Sequence, residues 1–192
     1  MNKNKIIQTT TALFATYGIN TVDMKRIAKE VHVSEDALAA EFNGREQLIE
    51  ECLKHEIEIM ETTVSDVVSY AQSSLEKFMD TVSLVLNGLS GFCPAFFKDL
   101  KGYPSAEKLL NLFRIRFLDK SIGYFMDCVK EGFFNPEFSN ESTAAICVEQ
   151  ISSLEYKYQS KMLRLFLQGI STEKGIKELN RLNKESNLFI NN

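Results

Sequence analysis

Four cationic side chains in the N-terminal quarter of the 192-residue chain could bind phosphate oxygens: Lys25, Arg26, Lys29 and Arg45. Lysine and arginine neutralise phosphates, which is the electrostatic part of nucleic-acid binding. Three carboxylates follow in the same stretch, on Glu35, Asp36 and Glu41. A carboxylate repels phosphates but can accept a hydrogen bond from the amino group of cytosine. One contact of this kind is compatible with DNA binding, and three are not.

The charge balance gives no general attraction to nucleic acid. The chain has a formal charge of −4, and residues 1–48 contain six basic and six acidic residues. Any DNA binding must therefore come from a local patch. Glu35 and Asp36 also have a structural interpretation, because carboxylates in a first helical turn are stabilised by roughly 0.3–1 kcal/mol. Glu41 needs another cause, such as a pair with Arg45 four residues later.

Hydrophobic spacing predicts three short helices that position these charges. The first helix carries its apolar face at three- and four-residue steps and ends before Gly18, a residue suited to a C-terminal cap. Asp23 is the predicted N-cap of the second helix and Ser34 that of the third. The apolar positions of the first helix are Ile6, Thr10, Leu13, Phe14 and Tyr17.

The stretch "LFATYGINTVDMKRIAKEVHVSEDALAAEFNGREQLI" resembles the N-terminal domain of the tetracycline-repressor-like (TetR) family, whose helix-turn-helix has this layout. The residues in register with the family pattern are Leu13, Phe14, Gly18, Ile27, Ala28, Val33, Ser34, Leu38, Phe42, Arg45, Glu46 and Leu48. His32 stands where the family often has glycine, in a turn where a positive φ is expected, and its ring is expected to face solvent.

The resemblance implies which residues meet DNA: Lys25, Arg26, Lys29, Ser34, Glu35, Asp36, Ala39 and Arg45. In the family, the positions that match Glu35, Asp36, Ala39, Ala40 and Glu41 tend to be basic, small or aromatic, with a tyrosine at the position of Ala39. This chain departs from that pattern at nearly every one. We therefore expect weak or unusual binding to a double-stranded DNA operator.

The rest of the chain predicts further helices and no strands, so the expected fold class is all-α. Helical stripes cover residues 48–71, 75–89, 109–132, 140–168 and 172–185, with a short helix in "PAFFKDLKGYP". We expect a helix-turn-helix domain at 1–47 and a larger helical effector-binding and dimerisation domain at 48–192. The first stripe predicts a long helix that joins the two.

The resemblance implies a small-molecule pocket and a homodimer. The residue types suggest an apolar effector, and the predicted lining residues are Met60, Val64, Phe78, Val82, Phe96, Phe113 and Phe117. Surplus apolar surface on the late helices indicates a two-fold four-helix interface. Such an interface would hold the two helix-turn-helix domains (residues 1–47, here called the reading heads) at the spacing that a palindromic operator requires. The predicted interface residues are Ala144, Val148, Ile151, Leu163 and Phe166.

Other classes of protein find little support. No segment approaches the ~20 apolar residues of a membrane span, and polar residues interrupt any signal-peptide core, which places the chain in the cytoplasm. The four scattered cysteines indicate buried reduced thiols, so no metal site is predicted. No catalytic constellation or cofactor motif is found, and an enzyme is not expected.

The sequence therefore predicts a DNA-binding transcriptional regulator, a repressor released by a small apolar effector. The alternative is a dimeric protein of the same fold that binds a ligand or a protein partner and has lost specific operator binding.

Overall fold

The computed structural model describes residues 2–152 and 159–186, and helices dominate them. The helices are α1 Lys3–Tyr17, α2 Met24–Glu30, α3 Glu35–Phe42, α4 Arg45–Tyr70, α5 Ser74–Ser90, α6 Pro94–Leu100, α7 Pro104–Lys130, a 3-10 helix Pro136–Phe138, α8 Glu141–Ser152, α9 Gln159–Ile170 and α10 Glu173–Ser186. The described residues also contain one isolated antiparallel β-bridge, between Phe134 and Ser171. The predicted all-α class is confirmed. Among these helices, none is long and apolar enough to cross a membrane.

Side-chain caps begin the three N-terminal helices. The Asn2 carboxamide accepts a hydrogen bond from the Lys5 amide of α1. Asp23 accepts one from the Arg26 amide at 2.7 Å, and Ser34 accepts one from the Ala37 amide at 3.2 Å. Each cap satisfies an amide that has no partner inside its own helix. The caps predicted at Asp23 and Ser34 are thus present.

Left-handed backbone conformations separate α2 from α3 and α3 from α4. His32 has a φ of 57°, as expected for the turn, and its side chain is exposed. Asn43 has a φ of 48° and closes α3, and Gly44 follows with a φ of 100°. Asparagine and histidine adopt this region more readily than branched residues do. The helical path is therefore interrupted at His32 and again at Asn43 and Gly44, which keeps α2, α3 and α4 as separate helices.

The chain divides into two compact units, the first made of residues 1–62 and 88–114. In this unit α2 packs on α1 and α3, and α1 packs on α6. Gly18, with a φ of 81°, follows α1, and a Cβ there would lie 2.9 Å from the Cβ of Ala95 on α6. The helix-turn-helix therefore shares its unit with α6 and the start of α7. The boundary predicted after residue 47 stays a prediction.

The second unit contains residues 63–87 and 115–192, described up to 186 except for 153–158. Its centre is a set of phenylalanine rings. Phe78 meets Phe125 and Phe134 edge-on, with ring centroids 5.8 and 5.9 Å apart, and Phe138 meets Phe125 from another side. Edge-to-face pairs of this kind stabilise a core beyond their buried area. These aromatic residues serve as packing within the unit.

The late helices differ in detail from the predicted stretches. The stretch expected at 140–168 contains α8 and α9, while residues 153–158 lie outside the described part of the chain. The break predicted in "GIST" is present, because α9 ends at Ile170 and α10 begins at Glu173. A Cβ on Gly175 would lie 2.1 Å from the carbonyl oxygen of Phe133. Glycine therefore allows α10 to approach that backbone closely.

Burial makes three of the four cysteine thiols unreactive. Cys52, Cys128 and Cys147 are buried, and burial raises the pKa of the Cys52 and Cys128 thiols to about 12. Burial also raises the pKa of Cys147. Because the thiolate is the reactive form, these residues act as small apolar side chains.

Asp80 on α5 generates a prediction about stability and pH. Burial, with a smaller contribution from Glu76, raises the pKa of Asp80 to about 6 from an ordinary value of 3.8. The native state therefore binds the proton more tightly than the unfolded chain, and stability falls as pH rises between these values. We expect Asp80→Asn to raise the free energy of unfolding at pH 7.5 by about 1 kcal/mol, a figure reduced for solvent screening.

The measurement is urea unfolding at pH 4 and pH 7.5, with the exposed Asp119 on α7 changed to asparagine as the control. The gain should disappear at pH 4, where the native carboxyl is already neutral. An equal gain at both pH values would contradict this assignment.

Candidate nucleic-acid interface

A groove of about 490 Å³ lies between α2 and the start of α3. Its lining residues are Lys25, Arg26, Ala28, Lys29, Val33 and Glu35. Lys25 and Lys29 are exposed, and Arg26 is half-buried. Ala28 is buried under the groove because α2 turns this side toward the core of the unit. Three of the predicted DNA-binding cations are therefore brought together on one surface.

Tyr17 at the end of α1 supports Arg26. The Arg26 guanidinium carbon lies 4.1 Å from the centre of the Tyr17 ring, within the range of a cation–π interaction. Tyr17 was predicted only as part of the apolar face of α1, yet it is 47% exposed. The apolar spacing of α1 did not reveal this role. Its one sign in the sequence is that Tyr17 lies in the last turn of the helix, where a long side chain can extend beyond the core.

The other residues predicted to bind DNA near α3 are exposed, half-buried or part of the helix cap. Ser34 is exposed, with its hydroxyl engaged as the N-cap of α3. Asp36 is exposed and Ala39 is half-buried. Glu41 is also exposed. The structure therefore shows Ser34 as the cap of α3, and the roles predicted for Asp36 and Ala39 in DNA binding stay predictions.

Arg45 faces into its own unit and is not available to a phosphate in this arrangement. Its Nη2 donates to the carbonyl oxygen of Ile19 at 2.5 Å, and its Nε donates to the hydroxyl of Tyr103 at 3.5 Å. The guanidinium carbon lies 5.8 Å from the centre of the Phe14 ring. The suggested pair with Glu41 is absent, because Asn43 and Gly44 break the helix between them.

A polar cluster that the sequence did not predict fastens the turn between α1 and α2 to α6. The Asn20 amide and carboxamide both donate to the Asp99 carboxylate, at 2.8 and 2.9 Å. Tyr103 donates its hydroxyl proton to the Asn20 side chain at 3.1 Å. The Cys93 amide donates to the Ala15 carbonyl oxygen at 2.8 Å. These partners are separated by about 80 residues, and no local pattern links them.

Three of the four charges lining the groove are unpaired within the described part of the chain, the exception being Arg26 on the Tyr17 ring. Lys25, Lys29 and Glu35 form neither an ion pair nor a side-chain hydrogen bond there. Three cations and one carboxylate leave the groove positive, although the surrounding residues 1–48 are neutral in sum. A local positive groove beside a helix N-terminus is suited to phosphate oxygens.

The residues predicted for the effector pocket are all buried. Met60, Phe96 and Phe113 belong to the first unit, and Val64, Phe78, Val82 and Phe117 belong to the second. Phe78 contacts the rings of Phe125 and Phe134, as described above. Their role in binding a ligand stays a prediction.

Four of the five predicted dimer residues are buried by their own chain. They are Ala144, Val148, Ile151 and Leu163, and Phe166 is half-buried. Side chains already packed within their own chain leave little surface for a second copy of the chain. The apolar side chains exposed on the same two helices are Ile146, Met162 and Leu165, at 60%, 46% and 54%.

Residues 6–52 match the family model of the bacterial regulatory proteins of the tetR family. The N-terminal region of the chain is therefore similar to that family. The match spans α1 to α3 and the first turns of α4, and it includes every residue that lines the groove. No curated protein matched the chain in a sequence comparison.

Solved structures extend the tetR-type fold over nearly the whole chain. A TetR-family transcriptional regulator from Marinobacter aquaeolei VT8 has a TM-score of 0.74 and 16% identity, covering 96% of this chain and 98% of its own. The ketosteroid transcriptional regulator KstR2 of Mycobacterium tuberculosis has a TM-score of 0.60 and 16% identity, covering 90% and 96%. A protein of Saccharomonospora viridis described as a transcriptional regulator, in complex with choline, has a TM-score of 0.68 and 16% identity, covering 96% of each chain.

The inward position of Arg45 predicts that its loss affects stability before it affects binding. We expect Arg45→Lys to lower the free energy of unfolding by about 1–3 kcal/mol. The ammonium group of lysine cannot donate to both Ile19 and Tyr103 and also lie against the Phe14 ring, as the guanidinium does. Lys29→Ala, at an exposed groove position, should change stability by no more than about 0.5 kcal/mol. Chemical unfolding followed by circular dichroism measures both. Unchanged stability in the arginine variant, with weaker DNA binding, would instead assign Arg45 to phosphate contact.

Proposed function

We propose that this chain is a cytoplasmic, homodimeric transcriptional regulator that binds an operator and represses transcription until a small apolar effector releases it. The observation that carries the proposal is the groove in which Lys25, Arg26 and Lys29 are gathered beside the N-terminus of α3. In a helix-turn-helix, the second helix enters the major groove while the first lies across the backbone. The cations of α2 are then placed for phosphates, and α3 for base edges.

The expected affinity for DNA is modest. Three cations on one surface correspond to a few phosphate contacts per subunit, and the exposed carboxylates of Asp36 and Glu41 oppose them. Because phosphate contacts supply most non-specific affinity, a reading head with few of them depends on base contacts and on a second subunit. Dimerisation is therefore part of the proposal.

Effector control is supported by the contact between α6 and the turn after α1, which lies within the first unit. The Asp99 carboxylate on α6 holds the Asn20 backbone amide directly, so a displacement of α6 would move the turn between α1 and α2. A ligand that binds one position of α6 more tightly would thereby favour one position of the reading head. The predicted pocket includes Phe96 on the same short helix.

The chemistry of the effector is proposed from residue types. Six of the seven predicted pocket residues are valine or phenylalanine, and the seventh is Met60, so an apolar or aromatic ligand fits them better than a charged one. The choline complex of the Saccharomonospora viridis protein supports a small-molecule site in this fold. Choline carries a quaternary ammonium, and aromatic side chains can also accommodate such a cation.

Two subunits would meet through α8 and α9. Ile146 on α8 and Met162 and Leu165 on α9 are exposed apolar side chains on consecutive helices of one unit. Pairing two such helices with their symmetry mates would bury them in a four-helix interface. These residues replace the buried Ala144, Val148, Ile151 and Leu163 as the proposed contact surface.

Salt-dependent DNA binding tests the main proposal. We expect fluorescence anisotropy with duplexes tiled from the upstream region of the gene to show selective binding, with log affinity falling by about 0.9 per phosphate contact against log salt. Lys25→Ala and Lys29→Ala should each weaken binding to all sequences and reduce that slope by about 1 per subunit, which is about 2 for the dimer.

Lys108→Ala is the matched control, because Lys108 is an exposed cation on α7 outside the groove. It should leave the slope unchanged. If the folded dimer binds no duplex selectively at low salt, operator binding is refuted. The alternative function, a dimeric binder of a ligand or protein partner, then stands, and the exposed acids Asp36 and Glu41 favour it.

The dimer is tested by changing the exposed apolar residues. We expect the wild-type protein to have twice the mass of one chain in size-exclusion chromatography with light scattering, and the Ile146→Glu/Leu165→Glu variant to have the mass of one chain. Burying two carboxylates per subunit without partners would oppose association. Ile115→Glu provides the control, since Ile115 is 55% exposed on α7. A double variant that remains dimeric while folded would place the interface elsewhere.

A further inference from the structure

The acidic residues near the reading head are not equivalent. Glu35 lines the groove together with Lys25, Arg26 and Lys29, whereas Asp36 and Glu41 are not among its lining residues. The cations on α2 would reduce the repulsion between the Glu35 carboxylate and the phosphates of a bound DNA. Asp36 and Glu41 lack that compensation.

The position of Glu35 in α3 also distinguishes it. It is the first residue of the helix, directly after the N-cap Ser34, and the N-terminal residues of a recognition helix are those that reach base edges. The Ser34 hydroxyl already accepts the Ala37 amide proton at 3.2 Å. The Glu35 carboxylate accepts no hydrogen bond from the described residues, so both of its oxygens are open to an external donor.

We propose that Glu35 determines sequence specificity by accepting a hydrogen bond from the N4 amino group of a cytosine in the major groove, an inference that rests on the proposed function. Cytosine presents a donor without a neighbouring acceptor on its own major-groove edge. Adenine presents its N6 donor beside the N7 acceptor, and N7 would repel a carboxylate oxygen. Lys25, Arg26 and Lys29 bind the phosphates on either side and hold α3 in place.

The proposal is tested by exchanging the carboxylate for an amide. Wild-type protein, Glu35→Gln and Asp36→Asn are each used to select duplexes from a randomised pool, and the bound duplexes are sequenced. Affinities for selected sites and their single-base variants are then measured by anisotropy at one salt concentration. Asp36→Asn is the matched control, because it removes one negative charge from the neighbouring position outside the groove.

The wild-type protein should select cytosine at one position of each half-site. In Glu35→Gln, preference for cytosine over adenine at that position should fall by about tenfold or reverse, because glutamine pairs with the N6 and N7 atoms of adenine. Asp36→Asn should bind all sequences more tightly by a common factor and keep the cytosine. The change in preference is the informative readout, since a purely electrostatic role would raise affinity without altering it.

The contrary outcomes are distinguishable. Selective wild-type binding with the same base preferences in Glu35→Gln would overturn the role of Glu35 and leave the regulator intact. The same loss of preference in Asp36→Asn would overturn the assignment to Glu35 in particular. Absence of selective binding by the folded wild-type protein would overturn the regulator, and the inference with it.

Discussion

The two hydrogen bonds from Asn20 to the Asp99 carboxylate are the interaction on which the reading head most depends. They join the turn after α1 to α6 across 79 residues of sequence. The same contact requires Gly18, because any side chain there would meet Ala95 and Asp99. Arg45 supports the same turn, because its guanidinium donates a hydrogen bond to the neighbouring Ile19 carbonyl oxygen. Residues outside the helix-turn-helix therefore help to hold the turn that leads into α2.

The placement of charges in the N-terminal domain, and not their sum, produces its positive groove. Acids and bases are equal in number over residues 1–48, so net charge provides no attraction for DNA. Helical geometry nevertheless gathers Lys25, Arg26 and Lys29 on one side of α2, while Glu35 and Asp36 occupy the first turn of α3, where the helix dipole favours them. The Glu35 carboxylate can therefore contribute to helix stability and remain in a positive groove, because cations lie beside it.

Much of this arrangement could be predicted from local sequence. The caps at Asp23 and Ser34, the left-handed turn at His32 and the break after α9 each depend on a few neighbouring residues, and all are present. The all-α class followed from hydrophobic spacing along the whole chain. In contrast, Arg45 was interpreted as a phosphate ligand, because a basic residue at a helix start carries no local sign of a partner in the chain such as Tyr103.

The late helices show the same limit. Apolar spacing indicates that α8 and α9 have more apolar surface than one layer of packing covers. In the structure these helices carry both buried and exposed apolar side chains. Apolar spacing could not show which side packs within the chain, because Val148 and Ile146 differ little in type although their exposed fractions are 0% and 60%. The sequence by itself determined the helices, their caps and the resemblance of the N-terminal region to the tetR family, since these depend on residues close together in the chain. The tertiary structure decided which charges are free, which apolar faces remain exposed and how α6 meets the reading head, because those depend on contacts between residues far apart in the chain.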